Sequence, residues 1–213
     1  MDEKLIDLRS AKNPKARIKI MKGHFATSNF HINNYIDIST IKVRHINCRE
    51  AAKVLTDEFA HMIAVDTIVC LEETDTIGTF MAEQLADNSR HSLSNGNNIS
   101  IVTPEYHQSG QILFRDNVQR MIENKQVLIL APSITTGKSV KRACEAVLYY
   151  GGKVCGICAV FSSVNKINGL EVKSIFTTKD IPDYRAYAPN ECPMCKAGEK
   201  IEAIVNSYGY SRL

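Results

Sequence analysis

Thr135-Thr136-Gly137-Lys138-Ser139 places three hydroxyls, a glycine and an ammonium in five consecutive residues. The aliphatic run Val127-Leu128-Ile129-Leu130 precedes it, with Ala131-Pro132-Ser133-Ile134 between. Four aliphatics predict a buried strand. Ser133, Thr135, Thr136 and Gly137 predict a tight loop, and a helix is expected to open at Ser139. Such a unit aims unpaired loop amides and the positive end of a helix at one spot, which favours an anion and above all phosphate. Val140, Ala143, Cys144, Val147 and Leu148 recur at helical spacing, so one face of that helix is expected to be buried. Gly151-Gly152 would stop the helix, because glycine accepts a left-handed C-terminal conformation. The apolar run 154–161 then predicts a second strand covered on both faces.

Two phosphate loops compete for this pattern. Gly137-Lys138-Ser139 matches the close of G-x-x-x-x-G-K-[ST]. The opening glycine would fall at Pro132, which has no N–H and lacks the needed freedom. No later apolar strand ends in an aspartate that could hold magnesium, so a nucleotide hydrolase is disfavoured. The second loop has four apolar residues, two acids, a few mixed positions, then Thr-Gly and a small residue. On Thr135 to Ser139 the chain resembles the type I phosphoribosyltransferase family. Lys22-Gly-His-Phe-Ala-Thr-Ser28 through Tyr35-Ile-Asp37 looks like the N-terminal segment of the orotate phosphoribosyltransferase branch. Asp66-Thr-Ile-Val-Cys-Leu-Glu-Glu-Thr-Asp-Thr-Ile-Gly78 sits where that branch has its first strand and pyrophosphate loop. Segment 172–181 is similar to its late strand, and Cys192-Pro-Met-Cys195 with Gly198 to a tail found in some members.

The resemblance implies an α/β fold, a mainly parallel sheet flanked by helices with an N-terminal hood. It implies binding of 5-phosphoribosyl pyrophosphate (PRPP) with magnesium and transfer of phosphoribosyl to a nucleobase, orotate by likeness, in pyrimidine biosynthesis. Ser133, Thr135, Thr136, Gly137, Lys138 and Ser139 would hold the 5′-phosphate. Lys22 and the loop Glu73-Thr74-Asp75-Thr76 would meet pyrophosphate, and Glu72 and Glu73 would offer carboxylates to magnesium. Lys22 and His107 are the candidate catalytic side chains. A homodimer is implied in the same way.

Three departures open an alternative. The family's acidic pair, which holds the ribose hydroxyls, falls on Ala131 and Pro132. Hydrogen bonds to a charged group contribute ~1.5–3 kcal/mol each, so losing two removes roughly 3–6 kcal/mol. The stretch 102–110, where the family carries Arg and Lys, offers His107 alone. Glu72, Glu73 and Asp75 put negative charge where an anion should sit, which requires magnesium between them and the phosphates or a changed role. The alternative is a non-catalytic regulator that binds a phosphoribosyl group or nucleotide.

Other candidates have plainer readings. Cys192 and Cys195 have the spacing of half a zinc site, but zinc needs four ligands. Cys155 and Cys158 share the spacing but lie three apart in a strand and point to opposite faces. A structural turn or redox-sensitive pair is expected at 192–195, and zinc is not. His24 and His31 lie in the segment that would face the base, to stack on it or to pack half-buried. Phe30 is expected in the core.

These residues need a scaffold. The length of 213 residues and 44% hydrophobic content allow one domain with a full core. The expected division is a hood at 1–45, a core at 46–190 and a C-terminal CxxC turn and helix at 191–213. The hood reads as basic, irregular and partly helical. One helix is expected to bury Ala51, Val54, Leu55, Phe59 and Met62, and the next Ile77, Phe80, Met81 and Leu85. The segment 87–98 reads as loop, 162–171 as a connecting turn, and Ile201, Ile204, Val205 and Tyr208 as a terminal helix. A net charge of +3 is too small to indicate nucleic acid. No apolar run reaches the length of a membrane span. The charged opening Met1-Asp-Glu-Lys predicts no signal peptide, and seven cysteines then predict free thiols in a reducing cytoplasm.

Overall fold

The computed structural model describes residues 5–87, 92–107 and 110–213. Parts of the expected loops at 87–98 and 102–110, and the opening at 1–4, lie outside them. The chain begins with β1 (Ile6–Arg9), β2 (Arg17–Ala26) and β3 (His31–Asp37), then α1 (Ser39–Val43), α2 (His45–Asp57), β4 (Thr67–Cys70) and α3 (Asp75–Ala86). It continues through β5 (Ser100–Val102), β6 (Glu105–Tyr106), β7 (Ile112–Leu113), α4 (Asp116–Gln119), β8 (Gln126–Ile134), α5 (Lys138–Tyr149) and β9 (Lys153–Ser162). It closes with β10 (Lys166–Ile167), β11 (Leu170–Thr177), β12 (Ala186–Tyr187), α6 (Pro193–Lys196), β13 (Ala203–Asn206) and β14 (Gly209–Arg212).

Two sheets divide the work. The core sheet runs β10-β11-β9-β8-β4-β5, parallel except for β10. Its central strands are apolar on both faces because helices cover both. One apolar cluster packs α2 and α3 on one side, with Ala51, Leu55, Ile77 and Met81 against Ile68, Leu128 and Val160. The other packs Val140, Ala143 and Val147 of α5 against Val127, Ile129 and Ile157. Loops at the carboxyl ends of such strands are where ligands bind in open α/β sheets.

The second sheet runs β12-β3-β2-β13-β14, with β1 on β2. Here the sequence reading needs correction. The hood is mostly strand rather than irregular, and its helical part is confined to its end, α1 at Ser39–Val43: β2 alone is ten residues long. The terminal helix expected over 201–208 is the β13–β14 hairpin. Residues 203–206 alternate buried and exposed, a strand period, and Asn206 Oδ1 accepts hydrogen bonds from the Tyr208 and Gly209 amides to close the turn. β13 also pairs with β2 in parallel, Ala203 opposite Phe25. Tertiary pairing with a strand almost the whole chain away overrides the weak helical spacing.

Smaller corrections follow from where elements stop. Leu148 is 60% and Met62 64% exposed, because α5 turns its last residues outward and α2 ends at Asp57. β8 outlasts the predicted strand by four residues, through Ile134, because β9 continues beside it. β4 stops at Cys70 opposite Leu130, so Pro132 falls beyond the point where β4 needs an N–H. Within the expected turn at 162–171, Lys166–Ile167 forms a short hairpin with β11.

Candidate functional site

A cavity of about 630 Å³ opens between the two sheets. Its core wall is Ser133, Ile134, Thr135, Thr136, Gly137, Lys138, Ser139 and Val140, so the whole predicted phosphate loop lines it. Gly137 caps α5 with φ 77°, a left-handed conformation that glycine adopts without strain. A Cβ there would stand 2.9 Å from Ile167 Cδ1, the movable end of a side chain, so the left-handed backbone is what calls for glycine. Ser163 ties the loop down: its N–H donates to Ile134 C=O at 2.8 Å and its hydroxyl to Thr135 C=O at 2.5 Å. Lys141 N–H donates to Gly137 C=O at 2.8 Å. The amides of Lys138, Ser139 and Val140 precede that ladder and are the donors a helix start leaves for an anion.

The facing wall comes from both ends of the chain. Residues 26–30 of the β2–β3 turn, with Tyr35, form one part, and residues 204–207 of the C-terminal hairpin another. Phe30 is not in the core. It is half-buried with Lys138 Nζ 5.9 Å from its ring centroid, so a flat aromatic face and a cation meet across the cavity. Tyr184 was not singled out from the sequence. It stacks edge-on with Phe161 at 5.2 Å. Burial pushes its pKa up, and the neighbouring Thr135 pulls the other way. Asn206 and Ser207 also line the cavity, in a stretch whose spacing predicts a helix.

The acidic loop after β4 splits in function. Glu72 and Glu73 have φ of 49° and 64°, left-handed values that cost a non-glycine residue roughly 1–3 kcal/mol each. Glu72 lines the cavity. Glu73 instead meets Lys42 Nζ at 3.2 Å. Lys42 is 3% exposed and also donates to the carbonyls of Glu72 and Ser207, at 3.3 and 2.8 Å. One buried ammonium thus ties the loop to the C-terminal hairpin. The Thr74 hydroxyl is fully buried and donates to Leu71 C=O and Leu130 C=O, so it shapes the loop. Asp75 and Thr76 open α3 and, like Glu73 and Thr74, are not in the cavity wall.

The two candidate catalytic side chains lie elsewhere. Lys22 is exposed on β2 opposite Asn34, outside the cavity wall. His107 is exposed at the end of the β6–β7 hairpin, where its N–H donates to Gln111 C=O at 2.9 Å. Arg115 braces that hairpin through Nε and Nη2, 2.6 and 2.7 Å from the two Glu105 oxygens. Ala131 is 2% exposed beneath α5, and neither it nor Pro132 lines the cavity.

His24 and His31 do not line the cavity. They meet Cys192 and Cys195, with ligating atoms all within 4.8 Å of one another. Among the described residues this is the one cluster of at least three His, Cys, Asp or Glu side chains so arranged. A bulge brings His24 there: Gly23 and His24 on β2 oppose the single Asn33 on β3.

No family model matches the chain. It is 27% identical to the orotate phosphoribosyltransferase of Sulfurovum sp. over 192 residues, covering 84% of this chain and 89% of that one. In structure it is similar to Mycobacterium tuberculosis orotate phosphoribosyltransferase, with TM-score 0.54, 17% identity, and 78% and 93% of the two chains covered. It is also similar to Trypanosoma brucei adenine phosphoribosyltransferase, with TM-score 0.54, 10% identity, and 83% and 80% covered. The chain therefore has the fold of the type I phosphoribosyltransferases and, across most of its length, resembles their orotate branch.

Proposed function

We propose that the cavity binds PRPP by its 5′-phosphate and transfers the phosphoribosyl group to a nucleobase, with orotate the first candidate. The observation that carries this reading is the loop 133–139, which presents hydroxyls, helix-start amides and Lys138 to one cavity in a chain that resembles this branch over most of its length. A base nitrogen attacks the anomeric carbon as the bond to pyrophosphate breaks, and positive charge spreads onto the ribose ring oxygen. The loop amides fix the phosphate, and with it the distance between the reacting atoms. Phe30 offers an aromatic face to a flat base, with Tyr35 lining the cavity nearby. Glu72 is the carboxylate that fits magnesium, which is commonly held by one or two carboxylates plus substrate phosphates. When bound, magnesium supplies charge neutralisation to the departing pyrophosphate. Glu73, paired with Lys42, is the poorer donor. Lys22 and His107 are not assigned a catalytic role in this reading, and a homodimer belongs to it by resemblance.

The test is pyrophosphate release from PRPP with magnesium and a panel of nucleobases. Base-dependent release supports the transferase and names the base. The regulator reading is favoured by one feature, the apolar burial of Ala131 where the family has a carboxylate. Ribose 5-phosphate binding without release with any base would select it. Restoring Asp at 131 is a poor substitute for this assay, because an unpaired carboxylate under α5 costs several kcal/mol.

A further inference from the structure

We propose that His24, His31, Cys192 and Cys195 form a tetrahedral zinc site that clamps the β2–β3 hairpin to the C-terminal tail. The geometry carries the assignment. His24 Nε2 lies 3.1 Å from His31 Nδ1 and 3.6 Å from each of the two sulfurs. His31 Nδ1 lies 3.1 Å from Cys195 Sγ. Zinc at ~2.0–2.1 Å from nitrogen and ~2.3 Å from sulfur makes a tetrahedron with edges of roughly 3.4 Å between nitrogens and roughly 3.6 Å between nitrogen and sulfur. The observed edges match these to within about half an ångström, so little movement would seat the ion.

The surroundings fit as well. His24 Nδ1 lies 3.0 Å from Glu199 C=O, so it carries the proton and leaves the Nε2 lone pair facing the cluster. Cys192 is fully buried and Cys195 exposed, which gives a closed set with an entry side. Two thiolates and two imidazoles select zinc over the harder cations that prefer oxygen. Four protein ligands leave no position for a substrate, so the ion is structural. Its place explains its use. His24 and His31 flank residues 26–30, which line the cavity, and Glu202 N–H donates to His24 C=O at 2.8 Å just before β13, which lines it too. The ion would hold both pieces of the facing wall in register.

The test uses the full chain, purified with its seven cysteines reduced. Elemental analysis is expected to give one zinc per chain, and none for Cys195→Ser, whose exposed position spares the fold. Cobalt(II) added to the zinc-free chain is expected to produce the strong visible bands of tetrahedral cobalt, lost in Cys195→Ser and in His31→Asn. Chelation should lower Tm by roughly 5 °C. A folded, reduced chain that holds no zinc and gives no cobalt bands would overturn the assignment, as would bands that survive in both variants. A disulfide between Cys192 and Cys195 in protein isolated without reductant, with no metal taken up after reduction, would also overturn it and indicate a redox pair. Metal content is read independently of turnover, so an inactive chain leaves the site standing.

Discussion

The two walls of the cavity are built by opposite strategies. The phosphate wall is local: residues 133–140 are contiguous, and β8 and α5 fix them from either side. The facing wall is assembled from residues 26–30, Ile32, Tyr35, Ile36, Tyr184 and residues 204–207, brought together by strand pairing and by Lys42. A local wall is preorganised by its own backbone, since hydrogen-bonded turns and helix starts need few distant contacts. A composite wall depends on the fold that unites its parts. Changes in the first should therefore alter ligand affinity more than stability, and changes in the second should do the reverse.

The largest expected effect is at Lys42. Lys42→Ala strands the carbonyls of Glu72 and Ser207 and leaves a cavity, which together cost about 3 kcal/mol. Thermal unfolding should show Tm down by roughly 6–12 °C. An unchanged Tm would mean that the facing wall does not depend on this tether. Ser139→Ala comes next. Loss of a hydrogen bond to a charged phosphate costs about 2 kcal/mol, so calorimetry should show ribose 5-phosphate binding weakened about 30-fold. Tm should stay nearly constant, and a large fall would break the contrast from the other side.

Tyr184→Phe removes the hydroxyl beside Thr135 and keeps the ring on Phe161. About 1 kcal/mol is at stake, read as a fall in Tm of roughly 2–4 °C with ribose 5-phosphate affinity nearly unchanged. Glu73→Gln should be smallest, below about 0.5 kcal/mol in denaturant unfolding, because its carboxylate is 58% exposed and solvent screens the pair. Lys42→Ala and Glu73→Gln together separate the tether from the ion pair. If Glu73→Gln costs as much as Lys42→Ala, the charge pair and not the carbonyl bonds holds the loop.

Legibility followed the same division. The strand, glycine and helix of the phosphate loop could be read because each signal lies within a few residues of the next. The mainly parallel sheet of the core was readable from alternating apolar runs and amphipathic helices. The hairpin at 203–212 was not, since Ile201, Ile204, Val205 and Tyr208 fall at helical spacing, and pairing with β2 overrode that signal. Lys22 and His107 were attractive by type and position, yet both side chains lie outside the cavity wall. Cys192 and Cys195 offered two ligands of a possible four. The other two, His24 and His31, lie more than 160 residues away, and nothing in local spacing connects them.

The sequence by itself determined the strand–loop–helix unit at 127–139, because a glycine-capped helix start after a buried strand orients its amides through local backbone geometry. It also determined the loss of the acidic pair, since no fold can turn Ala131 and Pro132 into carboxylates. Tertiary structure alone decided which residues face that loop, that Glu72 and Glu73 part company, and that two histidines and two cysteines converge. Those outcomes depend on how strands from both ends of the chain pair, and burial and long-range hydrogen bonding set that pairing.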